Sequence, residues 1–519
     1  MNASPDLRSG WVRTLRLMPP SLEDNTADAD RLVSALKTEL NTDSVSMDLD
    51  LLKRMPGLLR KSGFEIRCTL FRENGQWQVV SVDGPSSAKP PAGVAVDLGT
   101  SRVVVRLLDL TSGQTLSETA FDNPQIAVGP DVLARIHTAD TSKGGEHLQK
   151  LIIDGLNINI ERLCVECGLA PGDVHLMTVA GNTAMSHLFL GLEPRWIIRE
   201  PYIPVVNRPG LVPAAKLGLD LNPSTRVKVF PNVGSYFGGD LIAGILFSGL
   251  NRSPDTAILV DVGTNAEVVL GNENWLVACA GAAGPALEGG VTDMGMMAGP
   301  GVIDTVAIDP ESGDLVFHAI DEKAPVGICG SGLIDLAAQL FLAGMVDIRG
   351  KLVPDRCSER FRLIDELSAF ELVPKEKSGS GEALTVGQAD LDSLIRSKAA
   401  MFTILETITE TVGITPDDLG AFHVAGTFGS FIKPQSAITV GMLPDLRLDR
   451  YHALGNSSLG GATLALTDPD CIEEIDRIRD RITYLELNVN QVFMNRFSAA
   501  KFLPHTDRGR FPSVPLPQK

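Results

Sequence analysis

The chain has 519 residues, enough for roughly two to four domains. Its 46 Lys and Arg stand against 64 Asp and Glu, a formal charge of −18 that repels a phosphate backbone and excludes nucleic acid as a partner class. A composition of 44% hydrophobic and 21% charged residues is that of a globular protein, and no apolar run reaches the roughly 18 residues of a membrane span. The start, MNASPDLRSGW, lacks the apolar core of a secretory signal, which predicts a cytoplasmic protein.

Residues 1–13 read as a tail, and 14–84 as a small αβ domain of the linker type. Leu32, Val33, Leu36 and Leu40 give Asp28–Leu40 helical spacing, and Asp48–Lys61 continues as helix, broken by Pro56. The β-rich runs 65–72 and 76–82 flank Asn74-Gly75, a strong hairpin signal. A Pro/Ser/Gly linker follows at 85–93. Beyond it, short apolar runs alternate with helical segments, as in α/β domains. We divide this part into a first lobe at 94–255 and a second at 256–503, with a C-terminal tail at 504–519. The stretch 374–383, PKEKSGSGEA, reads as a region of low order.

The two lobes share a motif. VDLGTS at 96–101 returns as VDVGTN at 260–265, each after an apolar run and before a β-rich one. The spacing is that of a duplicated domain. An Asp ending a strand points its carboxylate out of the sheet, and Gly two residues later permits a sharp turn. Turn N–H groups and the hydroxyls of Thr100, Ser101 and Thr264, with Gly99, Gly263 and Asn265, then suit phosphate oxygens. Asp97 and Asp261 suit a hydrated Mg²⁺ carried by a nucleotide. Strand alternation would put Glu267 on the face of Asp261, as a water-orienting base, but for the intervening turn. A third loop, 422–429, is again a strand and a Gly-x-x-Gly turn, where Gly426, Thr427 and Gly429 would let adenosine lie against bare backbone. The helix that follows Leu454 begins with small residues suited to close packing.

Other candidates read as structural or stay open. The seven cysteines (68, 164, 167, 279, 329, 357 and 471) form no disulfide framework. Cys164-x-x-Cys167 sits in helical sequence and reads as packing before metal binding. The Gly-rich helix start around Cys329 reads equally as an anion site or as tight packing. His175, His187 and His423 read as structural, and Asp390, Arg396 and Lys398 as a solvated face. The Gly- and Met-rich stretch 281–301 reads as an adaptable partner surface or a plain mobile loop. No Walker A loop, H-E-x-x-H or G-x-S-x-G elbow occurs.

Together these loops resemble the five-motif signature of the actin, hexokinase and heat-shock-chaperone ATPase superfamily. Residues 94–106 and 258–270 resemble its phosphate motifs, 421–432 its adenosine motif, and 233–246 and 454–466 its connecting helices. More narrowly, VAGNTAMSHLFLG (179–191), DVGTNAEVVLGN (261–272), GAAGPALEGG (281–290), GICGSGLID (327–335) and VAGTFGSFI (424–432) are similar to the reductive activators of corrinoid proteins. That resemblance runs from about Leu15 to Phe502. It implies an α/β protein with a duplicated two-lobed ATPase fold behind a small N-terminal αβ domain. ATP and Mg²⁺ would occupy the cleft between the lobes. The activity implied is ATP-driven return of a Co(II) corrinoid protein to Co(I) in a methyl-transfer system, by a homodimer. Such activators carry an N-terminal 2Fe–2S domain, whose cluster needs four cysteines in a C-x₄-C-x₂-C-like run. No cysteine precedes Cys68, so no iron–sulfur cluster is expected in this chain. Either the chain begins in the linker, or a separate ferredoxin-type donor supplies the electron. A small-molecule kinase and a non-catalytic nucleotide-binding scaffold of the same superfold are the rival readings.

Overall fold

The N-terminal αβ part is a four-stranded sheet carrying two helices, in a computed structural model that describes residues 10–85, 89–263, 265–282, 294–309, 312–426, 432–485 and 496–515. Its strands are β1 (Val12–Arg16), β2 (Val45–Met47), β3 (Glu65–Glu73) and β4 (Gln76–Asp83), in the order β1-β3-β4-β2. Asn74 and Gly75 take φ of 52° and 74°, the paired left-handed turn that suits the twist of β3 and β4. Helix α1 (Asp28–Leu40) has Asp28 and Asp30 in its first turn and Lys37 in its last, matching the helix dipole, and ends on left-handed Asn41. Helix α2 (Leu49–Lys61) runs through Pro56 instead of breaking there. Leu51, Met55 and Leu59 are buried at four-residue spacing while Pro56 is exposed, so the backbone group that Pro leaves unpaired faces water.

The expected tail at 1–13 is corrected at its inner end. Trp11 is fully buried, stacks on Phe71 with ring centroids 4.6 Å apart, and Val12 and Arg13 already pair with Thr69 and Cys68. An indole buries more apolar area than almost any other side chain, and here its Nε1 finds a partner, donating to the Ala465 carbonyl at 3.1 Å.

The first large sheet consists of β5 (Ala92–Leu98), β6 (Arg102–Asp109), β7 (Thr115–Asp122), β8 (Val174–Gly181), β9 (Val212–Pro213) and β10 (Arg226–Val229), ordered β7-β6-β5-β8-β10-β9. The strand after the linker thus begins at Ala92. The meander β5-β6-β7 is antiparallel, and β8 and β10 add in parallel. Helix α3 (Ser142–Glu166) buries Leu148, Ile152, Leu156, Ile160 and Leu163 in the core with this sheet. Helix α4 (Thr183–Leu190) follows β8, and α5 (Gly239–Ser248) follows β10.

The second large sheet repeats the plan. Strands β11 (Ala257–Val262), β12 (Asn265–Gly271) and β13 (Leu276–Ala282) form the antiparallel meander. After two small sheets, β14 (Val302–Ile308), β15 (Leu315–Ala319) and β16 (Gly327–Ile328), then β17 (Phe361–Ile364), β18 (Leu367–Val373) and β19 (Leu384–Gly387), the parallel strands β20 (Ala421–Ala425) and β21 (Tyr451–Gly455) complete it. Helices α6 (Gly330–Leu342) and α7 (Gln388–Thr411) pack into its core. With β22 (Ile482–Tyr484) on the edge, the order is β21-β20-β11-β12-β13-β22. Read from the meander outward, both sheets run third, second, first, fourth, fifth strand, so the repeated motif marks a repeated fold.

The chain forms two compact units, one running to Phe247 and taking in Ser457–Arg481, the other formed by the remainder. Helices α8 (Ser457–Thr467) and α9 (Asp470–Arg481) therefore belong with the first unit, although composition put them in the second lobe. The reason is packing: α8 lies on β5 and β8, and Thr178 Oγ1 donates to the Ala462 carbonyl at 2.7 Å. A side chain at Gly461 would sit 2.2 Å from the Ala243 carbonyl, so the small residues allow α8 and α5 to touch backbone to backbone.

The C-terminal stretch is also corrected. Phe511 and Val514 are buried in the second unit's core, and Lys398, fully buried, donates to the carbonyls of Phe502 at 2.5 Å and Pro504 at 2.7 Å. Burial holds the Lys398 ammonium well below its ordinary pKa. Lys398 is thus an internal tie and not part of a solvated face. Polar, Pro-rich composition concealed two apolar anchors. Among the described residues no helix is long and apolar enough to cross a membrane.

Candidate functional site

The first Asp-x-Gly-Thr turn joins β5 to β6. Asp97 is the next-to-last residue of β5 and is partly buried. Its Oδ1 accepts the Ser458 hydroxyl at 2.7 Å, from the first turn of α8. Gly99 is required sterically, since a Cβ there would meet the Arg102 carbonyl at 2.3 Å. Asn123, buried to 1% exposure, braces the turn: its Nδ2 donates to the Gly99 carbonyl at 2.9 Å and its N–H to the Ser101 carbonyl at 2.8 Å. Thr100 Oγ1 accepts from Asn182 Nδ2 at 3.0 Å, while Asn182 Oδ1 caps α4 by accepting the Met185 N–H. Ser101 is exposed. A further polar group lies close by. The Cβ of a residue replacing Gly238 would come within 2.5 Å of Asn182 Cα and 2.6 Å of Asp240 Oδ1, in the first turn of α5.

The second turn differs by one residue. In β5 and β6, Asp97 faces Val104; in β11 and β12, Asp261 faces Glu267. Residues directly opposite on antiparallel strands share a face, so the shorter turn sets two carboxylates side by side. The straight-strand count also put them together, but cross-strand register is what produces the pairing. On the other side of β11, Asp261 is level with Ala425, the last residue of β20. Gly426 follows with φ of +81°, and a Cβ there would stand 3.0 Å from Asp261 Oδ1. The third loop therefore begins in contact with the second. The partly buried Asp261 carboxylate, over a bare glycine backbone, offers oxygen of the kind that the water shell of a magnesium ion takes, and the Glu267 carboxylate stands beside it. Gly263 is partly buried in the same turn. Thr264, Thr427 and Gly429 lie outside the described residues, as do the side chain of Asn265 and residues 283–293 of the Gly- and Met-rich stretch.

Sequence reasoning passed over Asn182, Asn123, Asp240 and Ser458. Each sits where a strand or turn gives way to a helix, and a polar residue there reads first as a cap. Only the fold brings all four to the Asp97 turn.

The remaining candidates resolve as packing. Cys164 is buried in α3, its thiol pushed up to about 11, chiefly by burial, and Cys167 caps the helix. Among the described residues no group of three His, Cys, Asp or Glu could hold a metal ion. Cys329 contacts the Ile303 carbonyl at 3.4 Å, and a Cβ at Gly332 would lie 2.4 Å from that same oxygen, so this helix start is occupied by tight backbone packing. His187 Nδ1 donates to the Thr183 carbonyl at 2.7 Å and Nε2 accepts the Val205 N–H at 3.1 Å, which fixes a neutral structural imidazole.

Two sheets of one strand order, each with an Asp-x-Gly-Thr turn between its first and second strands, define a duplicated fold of the actin, hexokinase and heat-shock-chaperone class. Matches to family models follow one another along the chain: the RACo linker region over 11–87, the RACo middle region over 92–253, and the C-terminal domain of RACo, the ASKHA domain, over 255–515. The chain belongs to the RACo family. It is 30% identical to the corrinoid activation enzyme RamQ of Eubacterium limosum, over 89% of this chain and 81% of that relative. It is 24% identical to a Co(II) methylated amine-specific corrinoid protein reductase of Methanosarcina barkeri, over 78% and 75% of the two. A solved structure of a reductive activator for corrinoid, iron–sulfur protein superposes with a TM-score of 0.87 at 38% identity, covering 99% of this chain and 82% of that one.

Proposed function

We propose that the chain is an ATPase that returns the cobalt of a corrinoid protein from Co(II) to Co(I). The observation that carries this reading is the pair of Asp-x-Gly-Thr turns on two sheets of one strand order, in a chain of the RACo family. Asp97 and Asp261 hold the water shell of a nucleotide-bound Mg²⁺, which neutralises phosphate charge. Gly99, Thr100, Ser101, Gly263, Thr264 and Asn265 bind phosphate oxygens, and Gly426, Thr427 and Gly429 border the adenosine. Glu267, beside Asp261, accepts a proton from the attacking water. The cobalt gains one electron, which a ferredoxin-type donor loses. ATP turnover biases an equilibrium between states that bind the corrinoid partner differently. The relatives' names support the substrate class.

The test is ATP hydrolysis with and without a Co(II) corrinoid protein, with Asp261→Ala as control and the cobalt followed by its absorbance. Stimulation by the partner that disappears in the variant supports an activator. Phosphate transfer to a small molecule would favour a kinase, and the absence of turnover under every condition a scaffold.

A further inference from the structure

The hydrogen bond between Asn182 and Thr100, in the first Asp-x-Gly-Thr turn, has a direction that its surroundings fix. Asn182 Oδ1 accepts the Met185 N–H at 2.9 Å, and a backbone N–H can only donate. Turning the amide over would set two donors against each other, so its oxygen stays on α4 and its nitrogen on Thr100. An amide nitrogen can only donate as well. Thr100 Oγ1 therefore accepts at 3.0 Å, and the one proton of its hydroxyl is left for another acceptor. No group among the described residues takes that proton. Thr100 is only partly buried and Ser101 beside it is exposed, so the turn opens to solvent.

Asn182 has little freedom to change this. Behind it, α4 is buried from Thr183 to Phe189. Thr183 Oγ1 donates to the Gly234 carbonyl at 3.1 Å, and Ser186 Oγ to the Gly181 carbonyl at 3.3 Å. Before it, β8 is buried along its whole length and pairs with β5, Ala180 level with Asp97. The amide is thus carried on a rigid strand-to-helix corner, next to the turn it serves.

We propose that Asn182 is a positioning residue for a nucleotide's phosphate chain: by donating to Thr100, it keeps the Thr100 hydroxyl a donor to a phosphate oxygen. A threonine hydroxyl can give or take a hydrogen bond, whereas an ionised phosphate oxygen can only take one. A donor fixed behind the hydroxyl leaves it a single role, set before the ligand arrives. This role rests on the nucleotide reading of the first turn and not on the corrinoid partner.

Asn182→Asp tests it in the full chain, with a fluorescent ATP analogue and Mg²⁺ as the probe. Aspartate caps a helix as well as asparagine does, but its carboxylate would take the Thr100 proton away from the phosphate. The Kd should rise roughly tenfold or more, with an unchanged circular dichroism spectrum. The added charge also repels phosphate, and Thr100→Val separates the two effects. In that background, where no hydroxyl remains to be turned, Asn182→Asp should raise the Kd much less. Asn182→Ser, which keeps a capping hydroxyl and adds no charge, should weaken binding by a smaller factor than Asn182→Asp. An unchanged Kd in both Asn182 variants, or an equal rise with Thr100 and with Val at that position, overturns the proposal while the nucleotide site stands. No binding of ATP by the parent would remove the nucleotide site and this role together, and ATP hydrolysis that no corrinoid protein stimulates would leave both in place.

Discussion

Ser458 donates its hydroxyl to Asp97 Oδ1 across 2.7 Å, although the two residues are separated by most of the chain. The bond fixes the rotamer of the carboxylate we assign to the metal's water shell, so Ser458 acts through Asp97. Ser458→Ala should lower the ATP turnover rate roughly tenfold with little change in KM, and Asp97→Asn should lower it about 10²-fold or more. Steady-state phosphate release checks both, and Ser458→Thr, which keeps the hydroxyl, should recover most of the loss.

Gly426 has both a left-handed backbone and a carboxylate oxygen 3.0 Å from where its Cβ would be. Gly426→Ala should cost about 1–2 kcal/mol in backbone strain alone. It should also shift the Asp261 carboxylate slightly and weaken nucleotide binding, read as a rise in Kd for a fluorescent ATP analogue. An unchanged Kd would separate the third loop from the nucleotide.

Six of the seven cysteines are buried, and Cys167 is only partly so. Burial pushes the thiols of Cys68 and Cys279 up to about 12 and that of Cys357 up to about 11. A thiol-reactive dye at pH 8 should therefore label one cysteine rapidly in the folded protein and all seven after denaturation. Peptide mapping should find the rapid label on Cys167.

His423 on β20 is lowered from its ordinary 6.5 to about 4, first by burial and then by His452 beside it. The unfolded chain therefore takes up this proton first as the pH falls. The contribution to stability is complete above pH 6.5 and is lost between there and about pH 4. After allowance for partial exposure it is on the order of 2 kcal/mol. Urea unfolding across this range should show a shallower loss of stability in His423→Asn than in the parent.

Where neighbouring residues determine a shape, the sequence was a good guide. Asp28–Leu40 is a helix at both predicted ends, since acidic first-turn residues and an apolar stripe at helical spacing are local signals. Asn74-Gly75 turned as expected because few other pairs accept two positive φ values. The Asp97 and Asp261 turns announced themselves by being repeated. What escaped was set by distant partners. Trp11 looked like part of a tail until Phe71 and Ala465 supplied its surroundings. Lys398 looked like surface because nothing near it in sequence shows that the Phe502 and Pro504 carbonyls accept its hydrogen bonds. Glu267 could be paired with Asp261 only after the turn between them had a length.

The return of α8 and α9 to the first unit bears on how the protein is made. Trp11 is among the first described residues to leave the ribosome, yet its indole partner, Ala465, is translated after nearly the whole second unit. The sheet β5–β10 can form early, but the surface that α8 covers must wait in the open throughout that interval. A synthesis pause after about residue 456 would leave uncovered the face of β5 and β8 on which α8 packs.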